Sequence, residues 1–149
     1  MIWPEQLRPL SHQVPQPLRR EHEEARQCFK AKAYTATAVM VRRTLEGVCS
    51  DQGVSGANGR PKPLVKMLEQ LKSDGKIDGR LLEWAQALRV LGNEGAHFTG
   101  SGVSRQDAAD GLALAEALLD YLYVLAAQFE VFKARRTKSK ETGQKDSQG

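Results

Sequence analysis

Leu112 to Phe132 reads LALAEALLDYLYVLAAQFEVF, and the spacing of its apolar residues decides the fold class. Leu112, Ala115, Leu119, Leu122, Ala126 and Phe129 recur at steps of three and four. Leu114, Leu118, Tyr121, Leu125 and Phe132 form a second stripe beside them. The period is that of an α-helix, in which residues three and four apart share a face. Two adjacent stripes are wider than contact with one neighbouring helix requires. Either this helix is the centre of a bundle or its far edge is completed by another chain, so a homodimer is expected. Ser104-Arg105-Gln106-Asp107 has the form of a capping box and sets the start of the helix. Its end is expected near Arg135.

Upstream, four shorter segments keep the same period, and none alternates as a strand would. Four of the six prolines fall in residues 1–17, which makes an extended arm with Trp3 anchoring it to the body. Helix one is predicted from about Leu18 to Ala31, with Leu18, His22, Ala25 and Phe29 on one stripe. His22 therefore reads as a core residue. Helix two is predicted from Tyr34 to Asp51, its buried face formed by Tyr34, Ala38, Val41, Leu45 and Val48. The glycine-bearing stretch Gln52–Arg60 is a flexible loop. Pro61 or Pro63 then opens a short third helix carrying Leu64, Met67, Leu68 and Leu71 inward. Asp78 is the expected N-cap of helix four, whose stripe is Leu81, Trp84, Leu88 and Leu91. Gly92 and Gly95 are expected to erode its end. The fold class is all-α, an up-and-down bundle of about five helices over residues 18–136.

At 149 residues, with 40% apolar and 27% charged side chains, the chain suits a single soluble domain. No apolar run is expected to span a membrane and no leader pattern opens the chain, so a cytoplasmic protein without membrane contact is predicted. Cys28 and Cys49 lie in apolar helical contexts and read as small core residues. The net charge of +4 resides in residues 133–149, because six cations there face Glu141 and Asp146, and the remainder balances. Residues 137–149 are expected to be a disordered basic tail. Lys133, Arg135 and Arg136 at its base are candidate phosphate contacts, as are Arg42 and Arg43 on helix two.

The chemistry-bearing cluster is Arg89, Asn93, Glu94 and His97 at the end of helix four. A histidine exchanges protons near neutral pH, and an arginine offers a forked set of donors to a phosphate. His97 as acid/base, Arg89 as phosphate clamp, Asn93 as orienting group and Glu46 in support would make a ribonucleolytic site. The same residues also suit a bonded helix end. Asn93 tolerates left-handed geometry, His97 sits near the negative pole of the dipole, and Glu46 can pair with Arg42 or Arg89. Both alternatives stay open. No histidine pair has metal-ligand spacing, so no metal or other cofactor is expected. Phosphate-loop and nucleophile-elbow patterns are missing.

Tyr34 to Glu46 together with Leu88 to His97, the prolines before helix one, and Asp120-Tyr121-Leu122-Tyr123 resemble the domain of unknown function 4145 family. Its members look like relatives of the HEPN superfamily. That resemblance implies an all-α domain that pairs with itself in prokaryotic defence, toxin–antitoxin or mobile-element settings. Some relatives cleave RNA without a metal, using an arginine followed shortly by a histidine. Here Arg89 and His97 are separated by one residue more than is usual. When Asn93 is matched to the asparagine that follows the arginine in that motif, the arginine slot falls on Gly92. The resemblance therefore implies a non-catalytic interaction or assembly module, with RNA or a cognate protein as partner. A metal-independent endoribonuclease using an Arg/Asn/His site is the alternative.

Overall fold

The computed structural model describes residues 9–54, 62–98, 100 and 102–147, the last six by their backbone alone. Every regular element among them is helical: α1 (Gln16–Lys30), α2 (Tyr34–Asp51), α3 (Leu64–Ser73), α4 (Gly79–Ala96), α5 (Arg105–Leu119), a π-helical stretch (Asp120–Leu125) and α6 (Ala126–Ser147). The all-α bundle is as expected. Helix α1 starts within the predicted arm because Pro17 suits a first helical turn, where no backbone donor is missed. Trp3 lies outside the described residues, as does most of the loop after Val54.

Two predicted caps are present. Asp78 accepts a hydrogen bond from the Leu81 amide at 2.8 Å, and Ser104 accepts one from the Asp107 amide at 3.0 Å. Each satisfies an amide that has no partner inside its own helix.

Helix α2 is the hub, packing on α1, α4 and α5 and touching α3. Its buried Val41, Leu45, Val48 and Cys49 meet Leu18 of α1, Leu88 of α4 and Leu112 and Leu119 of α5 in one core. Burial, followed by the Glu46 charge, pushes the Cys49 thiol up to about 12, so it is an inert core group.

The expected single long helix is divided. Its first half, α5, packs on α1, α2 and α4, whereas among the described residues α6 meets no helical element other than the π-helical stretch. Both predicted stripes follow that division. Leu112, Ala115, Leu118 and Leu119 are buried, whereas Tyr121, Leu125, Phe129 and Phe132 are exposed. The i→i+5 winding of a π-turn is wider than an α-turn and swings the distal stripes off the line of the proximal ones.

Helix α6 runs on through Ser147, over the residues where a basic tail was expected from 137, and this proline-free segment is rich in good helix formers. The run Arg105–Glu141 is also long and apolar enough to cross a membrane, by length and composition alone. Its first 15 residues are α5, a core helix in this bundle.

Candidate functional site

Helices α2 and α4 cross through glycine. A methyl group on Gly92 would overlap Cβ of Arg42, and one on Gly95 would come within 3.0 Å of the Thr35 carbonyl oxygen. These two glycines therefore do not erode α4, which continues to Ala96. They let it lie directly on α2, and that contact compensates for their poor helix propensity.

The crossing determines which polar groups meet. Arg42 Nε donates to Asn93 Oδ1 at 2.7 Å, and Arg42 Nη1 donates to Glu46 Oε1 one turn along α2. Asn93 is thus an interhelical acceptor within α4, and not the left-handed terminal residue expected from sequence. Arg42 has two of its donors engaged by protein and is half-buried. Hydrogen bonds of this charge-assisted kind contribute about 1.5–3 kcal/mol each. Replacing Asn93 with alanine is accordingly expected to cost about 2 kcal/mol in urea unfolding, with the slope unchanged.

The other predicted members do not join them. Arg89 Nε donates to Gln86 Oε1 at 2.6 Å, so the interhelical bridge to Glu46 is not formed. His97 caps α4 with extended backbone, its amide bonded to the Asn93 carbonyl, and its side chain is exposed. It lines an open groove of about 410 Å³ with Thr35, Glu94 and Phe98. Phe98 beside it is 99% exposed. Arg43 reaches across to Glu21 Oε1 at 2.9 Å. Lys133 and Arg135 lie over the rings of Phe129 and Phe132 on the distant α6, and Arg136 is exposed there.

A second polar cluster was not legible as such. His22 and Arg26, four residues apart on α1, are 0% and 2% exposed. Both face Glu116 of α5: Arg26 Nη2 is 2.9 Å from Oε1, and His22 Nε2 is 3.5 Å from Oε2. Burial alone would raise the Glu116 carboxyl, but hydrogen bonds and charge from His22 and Arg26 outweigh it and hold the group below the usual carboxylate range. Its one signal in the sequence is a lone glutamate inside an apolar run. Among the described residues no group of three histidine, cysteine or acidic side chains is arranged to hold a metal.

A family model described as "Domain of unknown function (DUF4145)" matches residues 23–139, well over half of the chain. No curated relative and no solved structure matches it.

Proposed function

We propose that this chain, which belongs to the DUF4145 family, is a non-catalytic, HEPN-like interaction or assembly module of the kind used in prokaryotic defence, toxin–antitoxin or mobile-element systems. One observation carries the reading. The position where a catalytic arginine would stand is Gly92, and it is closed by direct contact with Arg42. An arginine side chain has no room there without separating α2 from α4. Arg42, the cation bonded to Asn93, is bonded to Glu46 as well. A clamp engaged in this way has fewer donors left for a phosphate. Arg89 begins two turns before His97 and is turned to Gln86. Arg89 is thus bonded within its own helix and Asn93 across to α2, which supports a structural role for both.

The exposed His97 in its groove is the observation on the side of the alternative, a metal-independent endoribonuclease. The two readings separate cleanly. Purified protein incubated with a mixed RNA pool and a chelator is expected to leave the RNA intact. His97→Ala is expected to change Tm by no more than about 2 °C, as an exposed side chain should. Cleavage by the wild type that His97→Ala abolishes, with the fold intact, would overturn the proposal.

A further inference from the structure

We infer that the uncovered face of α6 pairs with the same face of a second copy of this chain, the two helices running antiparallel and crossing near Ala127. Leu125, Phe129 and Phe132 are 48%, 56% and 48% exposed. They recur at steps of four and three from the last residue of the π-helical stretch into the first turns of α6, so they lie on one side of the helix. Tyr121, Leu122, Leu125 and Phe129 border a groove of about 570 Å³, closed on its other side by Gln52, Gly75 and Lys76. The apolar surface is therefore continuous from the edge of the bundle outward along the helix. A helix that packs on none of the other α-helices is only marginally stable in water, and an apolar stripe on it is the usual mark of a packing partner.

Charge selects both the occupant and its direction. Lys133, Arg135, Arg136, Lys138 and Lys140 crowd the distal part of the helix. Residues 106–132 hold no lysine or arginine but carry Asp107, Asp110, Glu116, Asp120 and Glu130. The helix is thus basic at one end and acidic along the rest, which makes it complementary to its own reverse. Parallel pairing would set the two basic segments side by side. Antiparallel pairing separates them and lays each beside the partner's Asp120, in a stretch without lysine or arginine. With the crossing at Ala127, Leu125 faces the partner's Phe129, and the partner's Phe132 reaches the groove beside Leu122.

This inference rests on reading the chain as an interaction module, and its test is separable from that reading. Sedimentation of the full chain should give twice 16.5 kDa. Leu125→Glu should weaken the pairing by at least about 100-fold, because a carboxylate would be buried without a partner. Its circular dichroism and Tm should stay close to wild type, since Leu125 lies outside the core. A spin label on Ser139→Cys, in a Cys28→Ser background, should report about 36 Å between copies, from 24 residues at 1.5 Å rise. A parallel pair would bring those labels within roughly the 10 Å of helix packing. A monomer at every concentration, a short label distance, or a monomer that binds phosphatidylcholine vesicles through α6 would each overturn the inference. The interaction-module reading would survive the first two of these results. RNA cleavage dependent on His97 would overturn that reading whatever the mass.

Discussion

Gly92→Ala is expected to destabilise the protein by about 2–4 kcal/mol, although alanine is the better helix former. In an exposed helix interior the exchange would gain about 1 kcal/mol. Here the new methyl would overlap Cβ of Arg42, an atom fixed to the α2 backbone and not the far end of a flexible chain. The two helices must move apart, and overpacking of that kind costs about 1–3 kcal/mol or more. Separation also stretches the Arg42–Asn93 bond of 2.7 Å, a further loss of the charge-assisted kind. Gly111→Ala supplies the contrast. Its methyl would approach Leu91 Cδ2 at 2.9 Å, a terminal methyl that can rotate away, so the effect should be close to neutral. Thermal unfolding of both variants checks this. A drop of about 4–12 °C is expected for Gly92→Ala, and at most 1–2 °C for Gly111→Ala. Equal shifts would show that the α2–α4 crossing is softer than argued.

The same crossing shows why the fold was more legible than the site. Stripes such as Val41, Leu45 and Val48 are local periodicities, and so are the caps at Asp78 and Ser104. Sequence reading finds them because the cause lies within a few residues. Gly92 and Gly95 look locally like helix breakers. Their role depends on what α2 presents 50 residues earlier, and no spacing within α4 carries that information. Arg42 and Asn93 are 51 positions apart for the same reason. Arg89 illustrates the opposite error: a distant partner, Glu46, is chemically sensible, yet Gln86 lies within one turn and forms the bond. The π-turn at Asp120–Leu125 left no trace in the stripes, since apolar residues occupy both faces there and a shift of register exchanges one for another. Tyr123 within it is pinned to α2, its hydroxyl donating to Asp51 Oδ2 at 2.6 Å. Burial and that bond both push the phenol up.

Such a distribution of polar groups fits a scaffold more closely than a reaction centre. Arg42, Asn93 and Glu46 join two helices, and His22, Arg26 and Glu116 join two others. The large apolar side chains left exposed among the described residues include Phe98 and the row Leu125, Phe129 and Phe132. Exposed apolar area of that kind is where the pairing inferred above would act.

Glu116→Gln should be among the most damaging single substitutions in the chain, costing about 3 kcal/mol near neutral pH. The cost arises less from a lost attraction than from Arg26, which would remain 2% exposed with its nearest carboxylate gone. Glu23 Oε2 at 3.7 Å retains part of the compensation, which keeps the expected loss toward the lower end for a broken buried pair. The pH dependence gives a second readout. Because the carboxyl of Glu116 is held below its ordinary value of 4.5 in the folded chain, its stabilising contribution is complete above that value. It fades as pH falls through the lower folded-state value. The gap between wild type and Glu116→Gln in urea unfolding should therefore be widest near pH 7 and shrink progressively below about pH 4. Replacing the pair together, as Arg26→Met with Glu116→Leu, should recover most of the loss, since apolar groups of similar volume need no charge compensation. A Glu116→Gln variant as stable as wild type at pH 7, or a gap that does not change with acid, would mean that the α1–α5 contact is held by its leucines and alanines alone.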